Sequence, residues 1–175
     1  MKNLSSGVSK NSSPHKSVSL SYLINGAAFQ NGESKHFGRL QGRVFGTKAF
    51  PSIGMHANAG VTFDLEALRR SIPDRHITHF RSLCGVSDTV ALFCKEGYYG
   101  NPKYRVTVDF WVLVDGKVQF HNTLNAVPSE PVSIDVALPY TARFLTLMTT
   151  ESQGGRSFCW GMFAKSVLEL EVINQ

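Results

Sequence analysis

Side chains able to exchange hydrogen bonds with a ligand occur at three places in the chain. His56 and Asn58 sit between Gly54 and Gly60. A neutral imidazole both donates and accepts, and beside an amide it suits hydroxyl groups. The same histidine can equally tie its bend to neighbouring backbone. Glu151, Gln153 and Arg156 surround Gly154-Gly155. A carboxylate, an amide and a guanidinium make a fork for hydroxyls, or else a solvated loop. Asp88 opens a long loop in which Tyr98 and Tyr99 follow Gly97. Trp160 precedes Gly161, in a context that reads as a loop with its ring presented to solvent. Aromatic rings take the apolar C–H faces of sugars while polar groups engage the hydroxyls. Each ring is also a candidate for the core.

Other chemistries find little support. There is no GxSxG, HExxH, P-loop or GxGxxG. His76 and His79 would point to opposite faces of a strand and do not pair as metal ligands. Glu151 with Glu130, or Asp88 with Asp109, would be the carboxylate pairs for glycoside hydrolysis, but no spacing joins either pair. The expectation is a recognition module and not an enzyme. No cofactor is required by these residues.

Composition agrees. The net charge of +5 is spread along 175 residues without a basic run, and no nucleic-acid motif accompanies it. Nucleic acid is therefore not an expected partner. No apolar stretch reaches membrane-spanning length, and no signal peptide is visible, which leaves the compartment open. Cys84, Cys94 and Cys159 are an odd set without zinc spacing. They read as buried thiols, with a Cys84–Cys94 bridge as the alternative in an oxidising setting.

These residues need elements to hold them. Residues 1–16 read as a disordered leader, and 17–175 as one domain. Val18, Leu20 and Tyr22 begin a first strand. Leu40, Val44 and Phe45 belong to short strands. Residues 54–60 form a polar bend, and Val61, Phe63 and Leu65 alternate as a strand. Residues 65–72 have the composition of a short helix, stopped at Pro73-Asp74. A strand runs through Ile77 and 80–86, and another short one is expected at 91–94. Val106, Val108, Phe110, Val112 and Val114 share one face of the clearest strand, and Asp115-Gly116 turns it into a hairpin through Val118 and Phe120. Further alternation at 132–136, 143–149 and 166–172 completes eight or nine strands. The expected fold is all-β, a two-sheet antiparallel β-sandwich of the jelly-roll kind, with loops at one end carrying function.

Several segments resemble the NPCBM family of carbohydrate-binding modules. They are Gly42-Arg43-Val44-Phe45, then Ile53-Gly54-Met55-His56-Ala57-Asn58, then Val61-Thr62-Phe63-Asp64-Leu65. Gly85-Val86-Ser87-Asp88 is similar to the family's Gly-aliphatic-Asp-Asp segment, with Ser87 for the first acid. The likeness extends over residues 18–173. It implies a galactose-binding-like jelly roll that recognises glycans, usually as a domain of an extracellular glycoside hydrolase. In some relatives it implies a structural calcium. The chain departs from the pattern where Cys159-Trp160 replaces Asp-His and Lys165 replaces a final Asp. The alternative expectation is a protein-interaction or structural domain that has lost sugar binding.

Overall fold

A computed structural model describes residues 16–19, 22–24, 38–46, 49–90, 106–126, 130–153 and 158–173. The chain begins with β1 (Lys16–Ser19), β2 (Tyr22–Ile24), β3 (Arg39–Leu40) and β4 (Arg43–Val44). It continues through β5 (Ser52–His56), β6 (Ala59–Asp64), α1 (Leu65–Ser71) and β7 (Arg75–Val86). It ends with β8 (Thr107–Val114), β9 (Lys117–Asn125), β10 (Val132–Ala137), β11 (Phe144–Glu151) and β12 (Trp160–Val172). Residues 1–15 of the expected 1–16 leader and the expected strand at 91–94 lie outside the described residues, and Lys16 already belongs to β1.

The strands form the two expected layers. One sheet runs β10-β7-β12-β5-β2, with β1 also on β12, and the other runs β6-β11-β8-β9. β2 lies parallel to β5, and the remaining described pairs are antiparallel. β3 and β4 make a small separate ribbon.

Alternation in β8 follows from this layering. Val108, Phe110, Val112 and Val114 are buried between the sheets. Trp111 lies on the outer face, stacked on His121 at 3.7 Å, and its Nε1 donates to Thr150 Oγ1 at 3.0 Å. Asp115 (φ 49°) and Gly116 (φ 76°) make the left-handed pair that a tight hairpin requires. The Asp115 carboxylate also accepts from the amides of Arg143 and Phe144, at 2.9 and 2.8 Å, and so sets the start of β11.

Asp64 caps α1, its Oδ1 accepting from the Ala67 amide at 3.0 Å. That backbone hydrogen bond holds the carboxyl below its ordinary range. Leu65 anchors the helix in the core.

Two sequence expectations change. The residues before His56 are not a bend: Ser52–His56 is the strand β5, and only Ala57 and Asn58 turn. β5 shows a run of buried residues because both its faces are covered. Ile53 and Met55 join the central core. On the outer side Leu40 and Phe45 pack with Met162 and Ala164 in a second, smaller core. Likewise β12 starts at Trp160, well before the expected 166. Between Ala164 and Val167 its register shifts against β7, with Lys165 at φ 53°. Ser82 and Ser166 fill the irregularity, donating to the carbonyls of Ala164 and Phe163 at 3.0 Å each.

Gly161 marks where the layers meet most closely. A Cβ there would lie 2.7 Å from Thr149 Cγ2 and 3.0 Å from Phe110 Cε1. Both neighbours are fully buried. Gly161→Ala is expected to lower the unfolding free energy by about 1–3 kcal/mol through overpacking. Urea unfolding would show a lower midpoint at unchanged slope, and an unchanged midpoint would refute the close approach.

Candidate functional site

The strand directions bring several candidate residues to one end of the sandwich. β5 finishes at His56, which pairs with Trp160 at the start of β12. Asn58 turns the chain in the left-handed region at φ 62°. Its Oδ1 accepts from the Glu151 amide at 3.1 Å, where β11 ends. Thr149 Oγ1 donates to the His56 carbonyl at 3.1 Å, linking the two sheets. The Ala57 amide donates to the Cys159 carbonyl at 2.9 Å, and Ser87 N to the Trp160 carbonyl at 3.0 Å. His56, Asn58, Glu151 and Trp160 therefore share one end, with Asp88 just beyond Ser87.

Their roles divide. His56 is half-buried, and its carbonyl holds the sheets together at this end. The exposed Glu151 and the exposed Gln153 lie on the rim of the same end. Gln153 is fixed through its carbonyl, which accepts from Thr107 Oγ1 at 2.7 Å. Asn58 uses its side-chain oxygen on backbone, so it shapes the rim. Asp88 Oδ2 accepts from the Gly42 amide at 2.7 Å and ties down the β3–β4 turn. Tyr98, Tyr99 and Arg156 lie outside the described residues.

Trp160 corrects an expectation. Its residue is only 9% exposed, and its ring meets Phe158 edge-on at 5.7 Å. The glycine after it signalled a loop. That glycine is required by the contact with Phe110 and Thr149, inside a strand. The indole is a wall of the core at this end and is not presented to solvent.

Some supporting residues had no signal in the sequence. Thr149 reads as an ordinary strand residue. Phe158 holds φ 61°, which a bulky side chain rarely adopts, beside the rim. Ser87 had a signal, since it stands in the segment resembling the family's acidic pair. Its hydroxyl accepts from Arg39 N at 3.3 Å and exchanges a 2.8 Å hydrogen bond with Thr89.

The thiols here carry no reactive character. Cys84 and Cys159 are both buried, and the Cys159 Sγ donates to the Thr107 carbonyl at 3.6 Å. Cys84 lies in the core, and Cys94, the partner considered for a bridge, lies outside the described residues. Burial pushes the Cys84 thiol up to about 12. Burial, then the Glu151 charge, pushes Cys159 up to about 11. Both stay protonated at neutral pH and are poor nucleophiles.

A calcium ion needs several oxygen ligands, carboxylates foremost. Among the described residues no three His, Cys, Asp or Glu side chains group around a common point. Lys165 is exposed on the β12 irregularity, where the family pattern has an acid. The described residues do not fit a carboxylate calcium cage. No described helix is long and apolar enough to cross a membrane.

The two-layer sandwich with polar residues gathered at one end is the fold expected of a carbohydrate-binding module. Residues 43–169 match the NPCBM/NEW2 domain, and the chain belongs to that family. No curated protein matches it. Among solved structures it is similar to CBM51 from Clostridium perfringens GH95 in complex with methyl-galactose. The TM-score is 0.51 at 16% identity, over 75% of this chain and 77% of that one. It is also similar to the tandem CBM51 modules of Sp3GH98, a family 98 glycoside hydrolase from Streptococcus pneumoniae. There the TM-score is 0.57 at 15% identity, over 79% of this chain and 37% of that one. A third likeness is to the M60 catalytic domain with CBM51-1 and CBM51-2 from Clostridium perfringens ZmpB. It has a TM-score of 0.52 at 24% identity, over 75% of this chain and only 12% of that one.

Asn58 allows a test of how the rim is shaped. Asn58→Gly keeps the left-handed turn and loses the bond to Glu151, a loss of about 1 kcal/mol. Asn58→Ala loses the same bond and also keeps a Cβ in that turn without the local hydrogen bonding that lets asparagine adopt it, so it is expected to lose about 1–2 kcal/mol more than Asn58→Gly. Denaturant unfolding of both variants measures the difference. Equal losses would mean that the turn imposes no left-handed geometry.

Proposed function

We propose that this domain is a non-catalytic module that binds galactose-type or related glycans at the rim formed by His56, Glu151 and Gln153. The observation that carries this reading is that residues bearing an imidazole, a carboxylate and an amide are brought to one end of an NPCBM sandwich. Their backbones are fixed by hydrogen bonds, so only the side chains remain to be ordered by a ligand. Similar modules include one in complex with methyl-galactose and one in complex with GlcNAc, which supports a small pyranose as the ligand. Several of these modules sit beside catalytic or other domains. We extend the same role to this chain, as an accessory domain that holds a larger protein on a glycoconjugate. Tyr98, Tyr99 and Arg156 are proposed to complete the contact. Neither calcium nor nucleic acid has a part in it.

A second reading has its own observation. Cys159 and Trp160, which stand where the family has Asp-His, are both buried. A domain that surrendered those sugar contacts to its core would keep the fold as an interaction or structural domain.

A glycan array separates the two. The sugar-binding reading expects signal on galactose-, GalNAc- or GlcNAc-terminated glycans, unchanged by a calcium chelator. His56→Ala and Glu151→Ala should each weaken binding about tenfold, a loss near 1.4 kcal/mol, at unaltered unfolding midpoint. Silence of the folded domain across the array would favour the second reading.

A further inference from the structure

A cavity of about 540 Å³ lies at the opposite end of the sandwich, between α1, the turn before β11 and the end of β12. That volume is within the usual range for small-molecule sites. Its lining includes four arginines, Arg69, Arg70, Arg75 and Arg143, against the single carboxylate of Glu66. Tyr140 stands at its edge with 68% of its surface exposed.

The charge is not balanced locally. Glu66 is divided between Arg70, at 2.8 Å, and Arg143, at 3.8 Å. Arg75 meets Asp74 at 3.4 Å. Arg69 has no carboxylate partner among the described residues. Its Nη1 and Nη2 donate to the carbonyls of Ala142 and Pro139, at 2.7 and 3.3 Å, while its buried Nε has no hydrogen-bond partner among them. Arg69 and Arg70 lie in the last turn of α1, where the helix dipole favours cations in any protein. That reason does not extend to Arg75 and Arg143, which come from β7 and from the approach to β11. Three separate elements therefore direct guanidinium groups to one depression.

The aromatic ring gives the ligand its second property. Arg69 lies over Tyr140 at 5.4 Å, and His76 meets it edge-on at 5.0 Å. These contacts brace the ring while leaving most of it in solvent. A braced, exposed ring accepts the C–H face of a pyranose, and guanidinium groups pair with carboxylate or sulfate oxygens two at a time.

We infer that this cavity is a second binding site, for an acidic saccharide whose pyranose ring carries a carboxylate or a sulfate. The ring packs on Tyr140, and the anion takes the guanidinium donors of Arg70 and Arg143 that Glu66 leaves open. The inference rests on the chain's family and on this cavity, not on the rim at the other end. A module with both sites would engage a neutral sugar at one end and a charged one at the other.

Calorimetric titration of the intact chain tests it. The probes are glucuronate- and sialate-terminated oligosaccharides, sulfated oligosaccharides, their neutral counterparts, inorganic sulfate and an oligoglutamate peptide. At least one acidic saccharide should bind, and more weakly as salt rises. Carboxylated and sulfated probes report which anion is preferred. Tyr140→Ala should weaken that binding about tenfold, and the exposed pair Arg70→Ala with Arg143→Ala by more. His56→Ala should leave it unchanged, which distinguishes this site from the rim. Arg70→Glu serves as a second charge variant that keeps a long polar side chain on the helix. The inference fails if no acidic saccharide binds. It also fails if sulfate or oligoglutamate binds as tightly as the saccharides, or if Tyr140→Ala has no effect, since the patch would then be a general anion surface.

Discussion

The sandwich closes on one tight contact, the backbone of Gly161 against Thr149 and Phe110 of the facing sheet. Phe110 also meets Phe163 edge-on at 5.5 Å, so the same few residues join the layers two positions further along. Because β12 passes this close, its first residues are drawn into the core. Cys159 and Trp160 are buried as a result, and the carbonyls of Cys159 and Trp160 fall within reach of Ala57 and Ser87. Thr149, pressed against Gly161, uses its hydroxyl on the His56 carbonyl. The rim is thus a by-product of how the layers are brought together.

That dependence explains what was legible in the sequence. Strands whose faces see different surroundings, such as β8 and β10, announce themselves by alternation. The Asp115-Gly116 turn and the short helix after Asp64 were equally readable, because turn and cap chemistry are local. β5 and the start of β12 were not. Both are covered on two sides, so they lack alternation, and their glycines imitate loops. Gly54 and Gly161 lie within strands, and for Gly161 the reason is a neighbour far away in sequence.

The candidate site divides along the same line. Placement at one end of a sandwich could be anticipated for His56, Asn58 and Glu151, because strand order implies it. Function could not be assigned residue by residue. Asn58 and Asp88 turn their side-chain oxygens on backbone amides, and only coordinates reveal that. The arginines of the far cavity were invisible as a group, since Arg69, Arg75 and Arg143 are scattered in sequence and meet only through packing.

The central claim is that the rim around His56 faces a glycan. An amide chemical-shift titration with methyl galactoside and with N-acetylglucosamine tests it most directly. The account predicts saturable shifts centred on His56, Asn58, Glu151 and Gln153, with the outer face at Trp111 unmoved. Shifts confined to Trp111 and His121, or to the Tyr140 end, would contradict it.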